Sequence, residues 1–149
     1  MIDFLAVLRQ LGLAFVATTG FGLLFNVPRR TLPACGLTGG IGVAVRFMAT
    51  TLGASAVGGS FLGALAVASV GFLLARYYRV PRTIFTITGA IAMVPGSLAF
   101  TTMLQLMAGD FDKGINSGLQ TALIVGALAM GLTAIRAISR VAPGTGTPD

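Results

Sequence analysis

The 149-residue chain is 55% hydrophobic and 9% charged, where an ordinary soluble domain is roughly a quarter charged. A soluble fold of this size would lack the polar surface to cover its core, and the bilayer is the solvent that suits the composition. The formal charge is +6, but the basic residues stand in short clusters between apolar runs rather than in one stripe, which argues against nucleic acid as a partner.

In chain order, apolar runs cover approximately 4–25, 33–52, 55–75, 84–108 and 116–135. Each is near the ~20 residues a helix needs to cross ~30 Å of hydrocarbon. The runs are apolar on all sides and lack period-two alternation, so they read as helices rather than barrel strands. The expected architecture is an all-α integral membrane bundle of about five transmembrane helices, the fourth broken at Pro95-Gly96. It forms one domain over residues 1–142, followed by a Gly/Pro/Thr-rich tail at 143–149 that reads as disordered. Residues 1–8 carry Asp3 but no positive cluster, and no small-residue cleavage site follows, so no cleaved signal peptide is expected.

The connections set the orientation. Asn26-Val27-Pro28-Arg29-Arg30 follows the first run, and Arg76, Arg79 and Arg82 lie between the third and fourth. Arg136 and Arg140 follow the last run, whereas the turn from Thr51 to Ser55 is uncharged and the loop from Gly109 to Gly114 holds Asp110, Asp112 and Lys113. Basic and non-basic loops alternate. With positive loops inside, the N-terminus is outside and the C-terminus cytoplasmic. Arg9, near the outer end of the first run, is placed to snorkel or to pair with Asp3.

Glycine occurs 21 times, mostly inside the runs. Gly36/Gly40 and Gly59/Gly63 are spaced as GxxxG, and Gly114/Gly118 repeats the spacing. Small residues let helix backbones approach closely in lipid. The spacing leaves open whether these faces meet this chain or a partner.

Catalysis is poorly provisioned. There is no histidine, and the single cysteine, Cys35, sits in an apolar run and reads as a small buried residue. No disulfide, metal centre, cofactor or nucleophile with a base is expected, and an enzyme is not the reading. Two intramembrane features stand out instead. Arg46 lies inside the second run with no acidic residue at its depth. A charge there costs at least ~2.5–3.5 kcal/mol, so it should face an anionic substrate, a partner's carboxylate or freed backbone carbonyls, the alternative being that it snorkels to the outer interface. Pro95-Gly96 falls near the middle of the fourth run. Proline removes a donor and should free the Ile91 carbonyl four residues back. A half-helix starting at such a break offers free N–H groups to a carboxylate. Ser97, Thr101, Thr102 and Thr88 would add hydroxyls. The substrate-binding candidates are therefore Arg46, Pro95, Gly96, Ser97, Thr88 and Thr101.

These residues also carry a family likeness. Phe25-Asn26-Val27-Pro28, Arg46 in a glycine-rich run, and Pro81-Arg82-Thr83-Ile84-Phe85-Thr86-Ile87 leading to Met93-Val94-Pro95-Gly96 resemble the membrane domain of the threonine/serine exporter family. The nearest likeness is to the small subunit of its two-subunit members, implicated in succinate export. The resemblance covers about Leu11 to Leu106, and the fifth run matches only in hydrophobicity. The family's usual second proline after the Phe85 region is absent, with Thr88-Gly89 in its place, which leaves open a straighter entry to the broken helix. The resemblance implies transport, a larger membrane subunit with a cytoplasmic domain as partner, and motif positions at Asn26, Pro28, Arg46, Pro95 and Gly96.

The expected function is thus one subunit of a secondary exporter for small carboxylate-bearing metabolites, either threonine/serine or dicarboxylates such as succinate. The expected location is the bacterial inner membrane. The alternatives are a non-transporting scaffold and a passive channel. Expected partners are the larger subunit, the lipid bilayer and an anionic or zwitterionic substrate; homo-oligomers remain open. A five-span partner inserted the other way round would supply the inverted half that such transporters use.

Overall fold

The computed structural model describes residues 4–141, with side chains over 5–135. The expected tail at 143–149, Asp3, and the side chains of Arg136 and Arg140 lie outside that description. Every regular element is an α-helix: α1 Phe4–Leu24, α2 Leu32–Thr51, α3 Ala56–Tyr78, α4 Thr83–Ile91, α5 Gly96–Met107 and α6 Phe111–Val141. Helices α1, α2, α3 and α6 are each long and apolar enough to cross a membrane. Helices α4 and α5 pass the same test of length and apolarity only as a pair, bent by 47° at the expected break, so the bundle has four spans, or five if the bent pair crosses as one. The chain is an all-α membrane bundle.

Helix α6 starts at Phe111, inside the stretch from Gly109 to Gly114 read as a polar loop and ahead of the run expected from 116. Its first turns are held by α5: Gly114 packs under Leu106, and Ser117 Oγ lies 2.6 Å from Gln105 Oε1. An intrahelical ladder and a packing partner outweigh the polarity of Asp112 and Lys113.

The stops of α1, α2, α3 and α5 follow one plan, a left-handed residue just past the helix. After α1, Asn26 takes a left-handed conformation (φ 54°), with Asn26 N–H donating to Leu23 and Val27 N–H to Gly22, both at 3.0 Å. That is the Schellman closure, followed by the proline that commonly trails it. After α3, Arg79 repeats it (φ 53°), and Val80 N–H donates to the Ala75 carbonyl at 3.2 Å before Pro81. The opposite end uses glycine: Gly53 (φ 96°) after α2 and Gly109 (φ 82°) after α5.

Asn26-Val27-Pro28-Arg29 and Arg79-Val80-Pro81-Arg82 are thus two copies of one stop at one end of the bundle. Their valines pack into a single cluster with the buried Ala34, Cys35, Ala75 and Phe85. A second cluster, Ala64, Val67, Met93, Ile124 and Leu128, holds the middle.

Helix α2 is central and touches α1, α3 and α4. Its glycines and those of α3 set the approach. A Cβ on Gly36 would collide with Phe15 and Thr19 of α1, and one on Gly40 would come 3.2 Å from the Leu11 carbonyl. A Cβ on Gly63 would lie 2.7 Å from the Gly42 carbonyl, and one on Gly59 would lie 3.2 Å from the Arg46 carbonyl. Both GxxxG pairs therefore meet helices of this chain, which resolves the question their spacing left open. Gly114 and Gly118 likewise face Leu106 and Thr102 of α5.

Candidate functional site

The break in the fourth span is a backbone event that a side chain completes. As α4 ends, Met93 N–H donates to the Ala90 carbonyl at 2.9 Å and Val94 N–H to the Ile91 carbonyl at 3.2 Å. The Ile91 carbonyl, the one Pro95 was expected to free, is therefore satisfied. The chain has already tightened and left the helix before the proline, and the Met93 carbonyl is left without a backbone donor. Gly96 N–H then donates to Val94 at 2.8 Å, and α5 opens with Ala99 N–H on the Pro95 carbonyl at 3.0 Å.

The orphaned Met93 carbonyl is taken by Arg46, whose Nη1 donates to it at 2.9 Å. Of the partners considered for Arg46, the freed backbone carbonyl is the one present. A cation at the C-terminal end of α4 also meets the negative end of that helix's dipole. One of five guanidinium donors is used. Among the described residues no acidic side chain pairs with it.

Packing fixes both partners. The Met93 side chain is 1% exposed. It fills the space that the missing Cβ atoms of Gly42 and Gly63 leave between α2 and α3. The Arg46 stem lies along Gly59 and Gly63. These two glycines do more than join helices: they make the groove in which Arg46 lies.

The remaining candidates divide. Pro95 is buried, two residues beyond Met93. Gly96 and Ser97 are exposed on the first turn of α5, which has no side-chain cap. Its leading N–H groups have no intrahelical acceptor. Thr101 is exposed and donates to the Ser97 carbonyl at 2.9 Å; Thr102 donates to Leu98 at 2.9 Å. Thr88 is buried a turn before the break, and its hydroxyl donates to the Ile84 carbonyl at 2.7 Å. The three threonine hydroxyls are thus engaged with their own helices. Asn26 and Pro28 belong to the helix stop at the basic end, away from the break, and their motif is structural.

Two features had no visible signal in the sequence. Met93 reads as one apolar residue among many, and only the tertiary contact reveals its carbonyl as an acceptor. Thr18, buried on α1 against Gly39, has a hydroxyl without a hydrogen-bond partner among the described residues; nothing in the packing accounts for it.

Comparison with known families gives one match: the family model described as Threonine/Serine exporter, ThrE, matches residues 10–138. The match runs through α6, which the sequence likeness had left to hydrophobicity alone. No solved structure matches the chain.

Proposed function

Because the chain belongs to the threonine/serine exporter family, we propose that it is one subunit of a secondary exporter whose carboxylate-bearing substrate is recognised at the break between α4 and α5. The observation that carries this reading is the Arg46–Met93 contact. It sets a half-buried cation beside a break three residues before the first turn of α5. Both the guanidinium and the uncapped start of a helix favour negative charge, and among the described residues neither has an acidic partner of its own. A carboxylate entering between them would meet the unspent donors of Arg46 on one side and the N–H groups near Ser97 on the other.

The substrate class is threonine/serine or a small dicarboxylate such as succinate. The larger subunit supplies the second half of the transporter, inserted in the opposite sense, in a bacterial inner membrane with the N-terminus of this chain outside. The alternation of basic and non-basic loops supports that orientation.

A second reading is favoured by the same contact. Arg46 already satisfies a backbone carbonyl, so it serves equally as the cap of a broken helix in a non-transporting scaffold. Flux into sealed vesicles separates the two, with this chain and its partner subunit reconstituted together. An exporter with Arg46→Ala assembles with its partner and carries no substrate. A scaffold with the same change loses assembly and transport together. A passive channel gives flux that never accumulates substrate against its gradient.

A further inference from the structure

The basic end of the bundle gathers charge beyond what a helix stop requires. Arg29, Arg30, Arg76 and Arg79 are all exposed there. The loops that carry them are held together, since Val27 of one and Val80 of the other pack on the same buried cluster. No acidic residue occurs in residues 25–32 or 75–83, and the ion pair among the described residues, Lys113–Asp110, is at the opposite end.

Two details set this patch apart from loops that are merely positive. Arg79 is left-handed, a conformation that glycine takes without steric cost and arginine does not. The equivalent stops at the other end do use glycine, Gly53 and Gly109. An arginine kept in a glycine's position points to a use for its side chain. Aromatic side chains also lie at the same level. Tyr77 is 81% exposed, Tyr77 and Tyr78 meet edge to face at 5.2 Å, and the Arg76 guanidinium lies 5.9 Å over the Phe72 ring, one turn deeper. Exposed tyrosines at a helix end mark the headgroup level of a membrane. Arg76 precedes Tyr77 directly, so its stem leaves the helix at that same level.

We propose that Arg29, Arg30, Arg76 and Arg79 form a binding surface for the phosphates of anionic phospholipids in the leaflet that this end of the bundle faces. Guanidinium groups fork onto phosphate oxygens. Tyr77 packs beside the glycerol and upper acyl region. The surface anchors the two loops that begin α2 and α4, the helices that carry Arg46 and lead into the break. The proposal requires the bundle to span a membrane and does not depend on the export reading.

The test uses the full chain in nanodiscs made from equal parts phosphatidylcholine and phosphatidylglycerol. Bound lipid is then quantified by mass spectrometry as the protein is stripped by detergent. The wild-type chain should retain phosphatidylglycerol preferentially, and the preference should fall as salt rises. Each arginine changed to glutamine should lower the preference about fivefold at low salt. The quadruple Arg→Gln variant should retain the bulk ratio, and the quadruple Arg→Lys variant should keep most of the preference. Soluble glycerol phosphate should not displace the lipid. Retention by the wild type at the bulk ratio would overturn the proposal without any variant having to fold. An undiminished preference in a folded quadruple Arg→Gln variant would overturn it as well, and so would displacement by glycerol phosphate, which would indicate a site for free phosphate.

Discussion

Within the described residues the chain closes a helix in two different ways. At the ends of α1, α2, α3 and α5, a left-handed residue turns the backbone back on itself, and the last carbonyls are answered by N–H groups a few residues on. At the end of α4 no left-handed residue occurs: the N–H groups of Met93 and Val94 answer the Ala90 and Ile91 carbonyls, and the Met93 carbonyl beyond them is answered by the side chain of Arg46 from α2. The first kind of stop is complete in itself. The second depends on another helix, and it stands where the chain has a charge to place and a second half-helix to start.

The largest effect that tests this difference is on Arg46. With Arg46→Ala the Met93 carbonyl is buried without a donor, and the expected cost is about 1.5–3 kcal/mol, read from thermal unfolding in micelles. A loss under about 0.5 kcal/mol, the range of an ordinary surface change, would mean that the break closes itself as the ends do.

Next comes the groove. In Gly63→Ala the new methyl lies 2.7 Å from the Gly42 carbonyl and against the end of Met93. Overpacking of this kind costs about 1–3 kcal/mol, and the displaced Met93 should weaken the Arg46 contact. A double-mutant cycle between Gly63→Ala and Arg46→Ala should therefore show coupling; strictly additive losses would separate the groove from the break.

The self-contained stops should respond less. A Cβ at Gly53 or Gly109 meets nothing within 4 Å. Gly53→Ala and Gly109→Ala therefore test conformation alone and should each cost about 1 kcal/mol. Arg79→Gly should be the smallest, within about 0.5 kcal/mol. Relief of the left-handed arginine is offset by the extra freedom of glycine in the unfolded chain. A large loss on Arg79→Gly would show that the arginine side chain holds the loop.

Much of the fold could be read from the sequence because hydropathy reports the solvent. The spans follow from runs of about 20 apolar residues, and the break from Pro95-Gly96, since proline forbids the ladder there whatever surrounds it. The stops were only half legible. Gly53 and Gly109 advertise a left-handed turn, and the segment from Asn26 was read as the end of the first run, but nothing in the identity of Arg79 marks it as left-handed. The site was legible as to which residues were unusual and not as to what they touch. Arg46 stood out by its charge. Its acceptor did not, because the carbonyl is supplied by backbone geometry 47 residues away. Gly59 and Gly63 announced close packing, and only the assembled helices show that an arginine stem and a methionine occupy the space.

The central claim is that the junction of Arg46 with the α4–α5 break recognises the exported carboxylate. The direct measurement is accumulation of labelled threonine, serine or succinate in sealed vesicles holding this chain with the proposed partner subunit, comparing wild type, Arg46→Lys and Arg46→Ala at equal assembled protein. The account predicts accumulation by the wild type, a reduced rate for Arg46→Lys, which keeps the charge without the fork, and none for Arg46→Ala. Wild-type rates from assembled Arg46→Ala would contradict it.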